Sequence, residues 1–185
     1  MKQQKLSLII YLLFISLTFA IDYRKADHPE FYTEPGGCPG ESCSYGKWQV
    51  QKETMLYADP NTKSAQISKC ISGSKVIALT GHINSIAGKF IVKKKRDHFN
   101  PGDIIWVYSY LGEGFFNVWV EGGFKTMELG FSPWGGSSGS RCENGDFCWG
   151  ELENELKFNW WIKIQNVDGS IGWTYEYKNF SYGRY

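Results

Sequence analysis

Short apolar or alternating runs follow one another along the chain from Trp48 onward, and each run ends at a turn-forming residue. Alternation with a period of two is typical of half-buried β-strands, and turn signals at short intervals favour an all-β protein. We predict strands at 55–58, 65–71, 75–80, 89–93, 104–110, 115–120, 160–166 and 170–175. Short strands with this spacing are expected to close as a barrel or a sandwich.

Two of the turn signals predict hairpins. The segment Leu111-Gly-Glu-Gly114 joins two β-rich runs and predicts a long hairpin between 104–110 and 115–120. Asp168-Gly169 lies between two alternating runs, and an Asp-Gly pair in that position is the strongest short-range hairpin signal.

The run 75–80 is predicted to end at the glycine that follows it, Gly81.

Three segments break the strand pattern. Leu152 and Leu156 lie four residues apart within 149–157, which predicts one or two helical turns. The segment 121–150 is rich in Gly and Ser, and we interpret it as a flexible loop. The segment 21–47 holds prolines and little periodicity, and we interpret it as an extended arm.

The first 20 residues have the pattern of a secretory signal peptide. Lys2 and Lys5 precede an apolar run that ends in the small residue Ala20. The run is shorter than a membrane-spanning helix needs, so we expect no transmembrane anchor. The sequence predicts cleavage near Ala20 and a secreted or periplasmic protein.

Composition narrows the class of protein further. The chain is 42% hydrophobic and 17% aromatic, which excludes a disordered tail. Its net charge of +1 gives no electrostatic case for a nucleic-acid partner. The histidines lie at no metal-ligand spacing, so we expect neither a metal nor another cofactor.

Five cysteines in an exported chain indicate disulfides. Cys38 and Cys43 form one close pair and Cys142 and Cys148 another, each around turn-forming residues. The alternative is cross-pairing, in which each bridge joins one cysteine of the first pair to one of the second. The sequence alone does not determine which connectivity forms. Cys70 is left over, and we interpret it as a half-buried thiol without a chemical role.

Three pieces of the chain resemble a bacterial SH3 domain. The first strands of that family are similar to Leu56-Tyr-Ala-Asp-Pro60 together with Ile67, Gly73 and Val76. The closing hairpin of the family is similar to 161–173, which contains Asp168-Gly169 and Gly172-Trp173. Phe99-Asn-Pro-Gly-Asp-Ile-Ile-Trp-Val107 also resembles a strand of SH3-type barrels.

The resemblance implies an all-β SH3-like small barrel with little helix. A long segment at about 85–158 departs from the family, so the barrel either carries a long β-hairpin insertion or consists of two interleaved SH3-like units. We divide the chain into a signal peptide at 1–20, an extended arm at 21–47, an SH3-like β domain at 48–180 and a tail at 181–185.

The resemblance also implies a non-catalytic binding module of the cell envelope. Its partner would be a peptidoglycan peptide or an envelope protein, bound in an aromatic groove bordered by Tyr57, Trp161 and Trp173. Asp59 and Trp134 are weaker candidates for contacts with this ligand. Each Trp has the competing interpretation of a core residue, and Asp59 that of a solvated turn.

Two alternatives remain for the function. In the first, the chain is a structural or assembly protein of the envelope, and its own proline-bearing arm fills the groove. In the second, it is a cell-wall hydrolase with an unrecognised site, although the sequence contains no catalytic motif. The run Lys93-Lys-Lys-Arg96 is interpreted as a solvated loop, with an anionic polymer as the alternative ligand. The oligomeric state is left open.

Overall fold

The computed structural model describes residues 27–40, 43–131 and 149–182. Within these residues the chain forms strands and one 3₁₀ turn at Tyr177–Asn179. The strands are β1 Phe31–Pro35, β2 Gly46–Val50, β3 Thr54–Tyr57, β4 Gln66–Cys70, β5 Lys75–Ile86, β6 Gly88–Val92, β7 Ile104–Gly112, β8 Phe115–Val120, β9 Gly123–Glu128, β10 Gly150–Leu152, β11 Lys157–Gln165, β12 Ile171–Thr174 and β13 Phe180–Tyr182. The predicted all-β class is therefore confirmed.

Eight strands form a curled first sheet centred on β5, a strand of twelve residues. Seven of them follow the order β13-β2-β5-β11-β12-β3-β4, and β1 joins the sheet by pairing with β5. β2 and β1 share one edge of β5, with β2 opposite 75–78 and β1 opposite 82–86. β11 covers the other edge of β5 from 77 to 86. The central strand is thus paired on both sides at 77–78 and at 82–86.

The predicted end of β5 at Gly81 is wrong, because the strand continues to Ile86. Gly81 lies against the indole of Trp160, whose Nε1 donates a hydrogen bond to the backbone oxygen of Gly37 at 3.1 Å. A side chain at position 81 would collide with this indole and with the Tyr45 hydroxyl. The glycine therefore permits close packing across a continuous strand and does not mark a turn.

The inner face of the first sheet packs its own core. Val50 and Phe180 lie opposite each other in β2 and β13, so the core also receives the last strand of the chain. The buried members are Trp48, Val50, Leu56, Cys70, Val76, Ala78, Ile83, Trp160, Ile162, Ile164 and Phe180. The hairpin predicted at Asp168-Gly169 is confirmed by the pairing of β11 with β12.

Five strands form a second sheet in the order β10-β6-β7-β8-β9. In the chain they lie between β5 and β11, so the backbone leaves the first sheet after Ile86 and returns to it at Lys157. The predicted long hairpin is confirmed, with β7 paired to β8 in the register Trp106↔Trp119. The inner face packs a separate core of Phe90, Val92, Phe99, Ile105, Val107, Phe116, Val118, Val120, Leu129, Phe131, Trp149 and Leu152.

The helical turn predicted at 149–157 is wrong. Gly150 and Leu152 belong to β10 and lie opposite Val92 and Phe90 of β6. Leu152 is buried in the core of the second sheet, and Leu156 packs against the same core. Strand pairing satisfies the backbone and buries both leucines, which outweighs a weak helical spacing of two residues.

The flexible loop predicted at 121–150 is also wrong in its first part. Gly123–Glu128 forms β9, which pairs with β8 along its whole length. The turn between them places Glu121 and Gly122 at positive φ. The glycines at the start of this segment therefore belong to a tight hairpin turn, and they do not indicate a flexible loop. Residues 132–148 of the predicted loop lie outside the described residues.

The segment before β2 contacts both sheets. Its strand β1 pairs with β5 of the first sheet. On the second sheet, the His28 ring stacks on Trp106 with 3.5 Å between ring centroids. Tyr32 meets Tyr108 edge-on at 5.6 Å, and the Tyr108 hydroxyl donates a hydrogen bond to the Pro29 backbone oxygen at 2.5 Å. This arm therefore bridges the two sheets.

A disulfide between Cys38 and Cys43 closes the loop that joins β1 to β2, with 5.9 Å between the two Cα atoms. This local pairing confirms one of the predicted bridges and excludes cross-pairing of these two residues. Cys142 and Cys148 lie outside the described residues. Among the described residues, no helix is long and apolar enough to cross a membrane.

Cys70 is more deeply buried than the half-buried thiol predicted from the sequence. Its side chain is part of the first core and has no exposed surface. Burial raises the pKa of the Cys70 thiol to about 11, and the Asp168 carboxylate acts in the same direction. The thiolate that reacts with electrophiles is therefore scarce at neutral pH.

Replacing Gly81 by alanine should destabilise the fold by about 1–3 kcal/mol, because the new methyl group overpacks the Trp160 indole against rigid backbone. Urea denaturation followed by circular dichroism measures the change. Gly123→Ala is the matched control, since Gly123 also lies in a strand and has open space around it. Equal stabilities of the two variants would contradict the packing role of Gly81.

Cys70 should resist alkylation in the native protein and react once the protein is unfolded. The physical reasons are its burial and its raised pKa. Iodoacetamide labelling at pH 8, followed by peptide mass spectrometry, resolves Cys70 from the other cysteines. Rapid labelling of Cys70 without denaturant would show that the core of the first sheet opens readily.

Candidate functional site

The outer face of the first sheet carries aromatic side chains that do not belong to its core. In β11, Trp160, Ile162 and Ile164 point into the core. Successive side chains of a strand point to opposite faces, so Trp161 and Lys163 lie on the outer face. The consecutive residues Trp160 and Trp161 thus place one indole in the core and one on the outer face.

Strand pairing brings residues from four segments to the same outer position. Trp161 of β11 lies opposite His82 of β5, and Lys163 lies opposite Trp173 of β12. Trp173 in turn lies opposite Tyr57 of β3. Residues directly opposite each other in an antiparallel pair share a face of the sheet, so these side chains are neighbours.

Ring contacts join these residues in two sets, which the strand pairing of Trp161 with His82 and of Trp173 with Tyr57 brings side by side. The ring centroids of Tyr57 and Trp161 are 5.9 Å apart, and those of Trp161 and Tyr175 are 5.2 Å apart. His82 lies 4.2 Å from Trp173, and Lys163 Nζ lies 5.5 Å from the centroid of the same indole. We name this group the outer aromatic cluster: Tyr57, His82, Trp161, Lys163, Trp173 and Tyr175.

Exposure differs sharply within the outer aromatic cluster. Trp161 is 4% exposed and Trp173 is 7% exposed, so both indoles form the base of the cluster. Tyr57 is half-buried, and Tyr175 is 41% exposed. The structure therefore brings Tyr57, Trp161 and Trp173 together as the sequence suggested, but the tyrosines are the rings that a ligand could reach directly.

Among the described residues of the cluster, Lys163 carries a charge and His82 can gain one by protonation. Burial lowers the pKa of His82, and the ammonium of Lys163 lowers it further. His82 is therefore neutral at pH 7, and Lys163 supplies the positive charge next to the Trp173 face. This arrangement can accept a carboxylate beside an apolar or ring-shaped group.

A cleft of about 340 Å³ lies beside the cluster. Tyr175 belongs to both, since its ring contacts Trp161 and also lines the cleft. Tyr177 and Trp160 add two further rings, and Glu176 and Lys178 add charges of both signs. The exposed edge of the cluster thus continues into a concave surface.

The other predicted site residues have different positions. Asp59 lies in the exposed turn between β3 and β4, where the Ser64 hydroxyl donates a hydrogen bond to the Asp59 backbone oxygen at 3.1 Å. This geometry agrees with the solvated-turn interpretation. Trp134 lies outside the described residues.

The basic run at 93–96 is partly neutralised. Lys93 Nζ lies 2.6 Å from a carboxylate oxygen of Glu151, and an Arg96 nitrogen lies 3.7 Å from one of Glu128. The Arg96 guanidinium also lies over Trp149. In the part of the chain that the structure describes, no group of three His, Cys, Asp or Glu side chains could hold a metal ion.

Sequence reasoning missed His82, Lys163 and Tyr175. Lys163 lies two residues after Trp161, and Tyr175 lies two residues after Trp173. Side chains two residues apart in a strand share a face, so this rule applied to the predicted site residues would have found both. His82 gives no such signal, because β5 was predicted to end before it. Only the pairing of β5 with β11 places His82 in the cluster.

No protein-family model matches this chain, and no curated protein or solved structure shows significant similarity to it. Function therefore has to be inferred from the geometry of the outer aromatic cluster and its surroundings.

The pKa of His82 links the stability of the protein to pH. Its folded-state pKa lies below the unfolded value of 6.5, so the unfolded chain binds the proton more readily. The stability that neutral His82 contributes is complete above pH 6.5 and is lost as the pH falls through the folded-state pKa. His28, whose pKa burial also lowers, acts in the same direction.

We expect His82→Gln to flatten the stability profile below pH 6.5 without abolishing its slope, because His28 remains. Urea unfolding across this pH range measures the effect, and an NMR titration of His82 reports its folded-state pKa directly. A measured pKa above 6.5 for His82 would contradict its burial in the cluster.

Proposed function

We propose that this protein is a non-catalytic binding module that takes a peptide or peptidoglycan-type ligand on its outer aromatic cluster. The single observation that carries the proposal is the packing of four rings from β3, β11 and the β12 end into one outer surface. The two indoles are buried, whereas Tyr57 is half-buried and Tyr175 is 41% exposed, and accessible aromatic rings gathered at one place favour recognition.

The pairing of the first sheet supports the resemblance to a small SH3-like barrel. β2 pairs with β13, so the first strand of the predicted β domain meets its last strand. The second sheet lies between β5 and β11 in the chain, as an insertion into such a barrel would. In this interpretation Tyr57, Trp161 and Trp173 occupy the groove-forming positions that the resemblance implies.

The chemistry of the cluster favours a peptide with a carboxylate. Tyrosine rings offer flat apolar surface together with a hydroxyl, which suits extended peptides and prolines. Lys163 adds a positive charge over the Trp173 ring, next to the neutral His82. A peptide of the cell wall or of an envelope protein combines these features.

The position of the arm favours this function over a groove filled by the arm itself. The described arm contacts run to the edge of β5, to the Trp160 indole through the Gly37 backbone oxygen, and to Trp106, Tyr108 and Phe124 of the second sheet, and none of them reaches Tyr57 or Tyr175. Tyr175 of the cluster keeps 41% of its surface exposed. The cluster therefore has accessible rings while the arm is docked.

We also propose that the mature protein works in the periplasm or outside the cell. The disulfide Cys38–Cys43 supports an oxidising compartment. It closes the loop between the arm and β2, so its reduction would loosen the bridge that the arm makes between the sheets.

We expect residues 21–185 to sediment with purified peptidoglycan sacculi, and Tyr175→Ala to lower the sedimented fraction severalfold. Tyr57→Ala should act in the same direction. Both tyrosines are partly exposed, so their removal should leave the fold intact, unlike removal of the buried Trp161. Phe115→Ala is the matched control, because Phe115 is 40% exposed on the second sheet.

Loss of sedimentation in the two tyrosine variants alone would support binding through the cluster. Equal losses in Phe115→Ala would indicate non-specific adhesion of apolar surface. If the wild-type protein stays in solution, peptidoglycan is excluded as the ligand. A hydrolase would instead release soluble fragments from the sacculi.

A further inference from the structure

We propose that the protein has a second binding site, a cleft between the two sheets that takes an uncharged oligosaccharide. The cleft lies where the chain passes from β5 to β6 and where it returns from β10 to β11. It shares no lining residue with the outer aromatic cluster, so the proposal does not depend on the function proposed above.

The size and position of the cleft are those of a ligand site. Its volume is about 600 Å³, larger than the cleft beside the outer aromatic cluster. Ligand clefts of about 300–1,000 Å³ occur preferentially where two structural units meet. Here the two units are the sheets, each with a separate core.

Four charged side chains line the cleft, and their charges cancel. They are Lys89, Lys157, Glu153 and Glu155, of which Lys89 and Glu153 form an ion pair, and Asn154 adds an uncharged amide. An anionic ligand would meet the two carboxylates, and a cationic ligand would meet the two ammonium groups. The ligand that fits this lining is neutral and carries both donors and acceptors.

An aromatic wall completes the cleft. Trp106 lines it from β7, and His28 stacks on one face of the indole with 9° between the planes, so a sugar ring would pack on the opposite face. Sugar rings present flat C–H faces that pack on an indole, while their hydroxyl groups pair with carboxylates, ammonium groups and amides. A neutral oligosaccharide uses every kind of group that the cleft offers.

The cleft is held open by contacts within the fold. Leu156 packs against Gly88, where a larger residue would collide with it, and this contact fastens the 153–156 turn to β6. Lys89 Nζ lies 3.3 Å from a carboxylate oxygen of Glu153. The wall at Trp106 and the turn at 153–156 are therefore fixed before any ligand arrives, which lowers the cost of binding.

Titration calorimetry with chitotriose, cellotriose, maltotriose and mannotriose tests the proposal on residues 21–185. We expect at least one of these neutral trisaccharides to bind. Trp106→Ala should then weaken binding about tenfold or more, as loss of a central anchor does. Because Trp106 also supports the arm, the exposed double variant Asn154→Ala/Glu155→Ala gives a second measurement that leaves the core untouched.

Glu151→Ala is the matched control. Glu151 lies in the same strand region as Glu153 and pairs with Lys93 as Glu153 pairs with Lys89, but it does not line the cleft. Its replacement should leave trisaccharide binding unchanged. Near-ultraviolet circular dichroism confirms that each variant is folded.

Charged probes test the neutrality of the ligand. Chitosan trimer is the cationic counterpart of chitotriose, and trigalacturonic acid is an anionic trisaccharide. We expect both to bind more weakly than the preferred neutral sugar. The proposal is overturned if no neutral trisaccharide binds, if a charged probe binds more tightly, or if cleft variants and Glu151→Ala affect binding equally.

Discussion

The structure depends on the pairing of β5 along both of its edges. β11 covers one edge, and β2 and β1 divide the other between them. Pairing on both sides at 77–78 and at 82–86 leaves neither half of this twelve-residue strand as an exposed edge. The half at 75–78 belongs to the curled sheet proper, and the half at 82–86 extends to where the chain enters the second sheet. Without the half at 82–86, the two sheets would be joined mainly by the segments that connect β5 to β6 and β10 to β11.

The same constraint positions both candidate binding surfaces. His82 reaches the outer aromatic cluster only because β5 continues past Gly81 and lies opposite Trp161. The cleft between the sheets begins at Ile86, the last residue of β5, and is completed by the turn that leads back into β11. The arm adds a third link, since β1 pairs with β5 while His28 and Tyr32 pack on the second sheet. The loop closed by the Cys38–Cys43 disulfide connects strand β1 of the arm to β2.

Much of the strand pattern could be predicted from local sequence, and the failures have physical causes. The hairpins at Leu111-Gly-Glu-Gly114 and Asp168-Gly169 were predictable because turn chemistry and period-two alternation are local properties. Gly81 misled the prediction because its role is to make room for Trp160, a contact between residues far apart in the chain. β10 was mistaken for a helical turn because three residues of strand give too little periodicity to read. In the site, Tyr57, Trp161 and Trp173 were predicted from a resemblance, but their relative exposure depends on packing that no local pattern encodes.

Native-state hydrogen exchange of β5 tests the central constraint most directly. Both edges of β5 are paired at 77–78 and at 82–86, so amide protons at 82–86 should exchange as slowly as those at 77–78, and both groups should exchange far more slowly than the edge strand β4. NMR spectra recorded over time in deuterium oxide give these rates residue by residue. Fast exchange confined to 82–86 would contradict the account, because it would show that neither the arm nor β11 holds the second half of β5 in place.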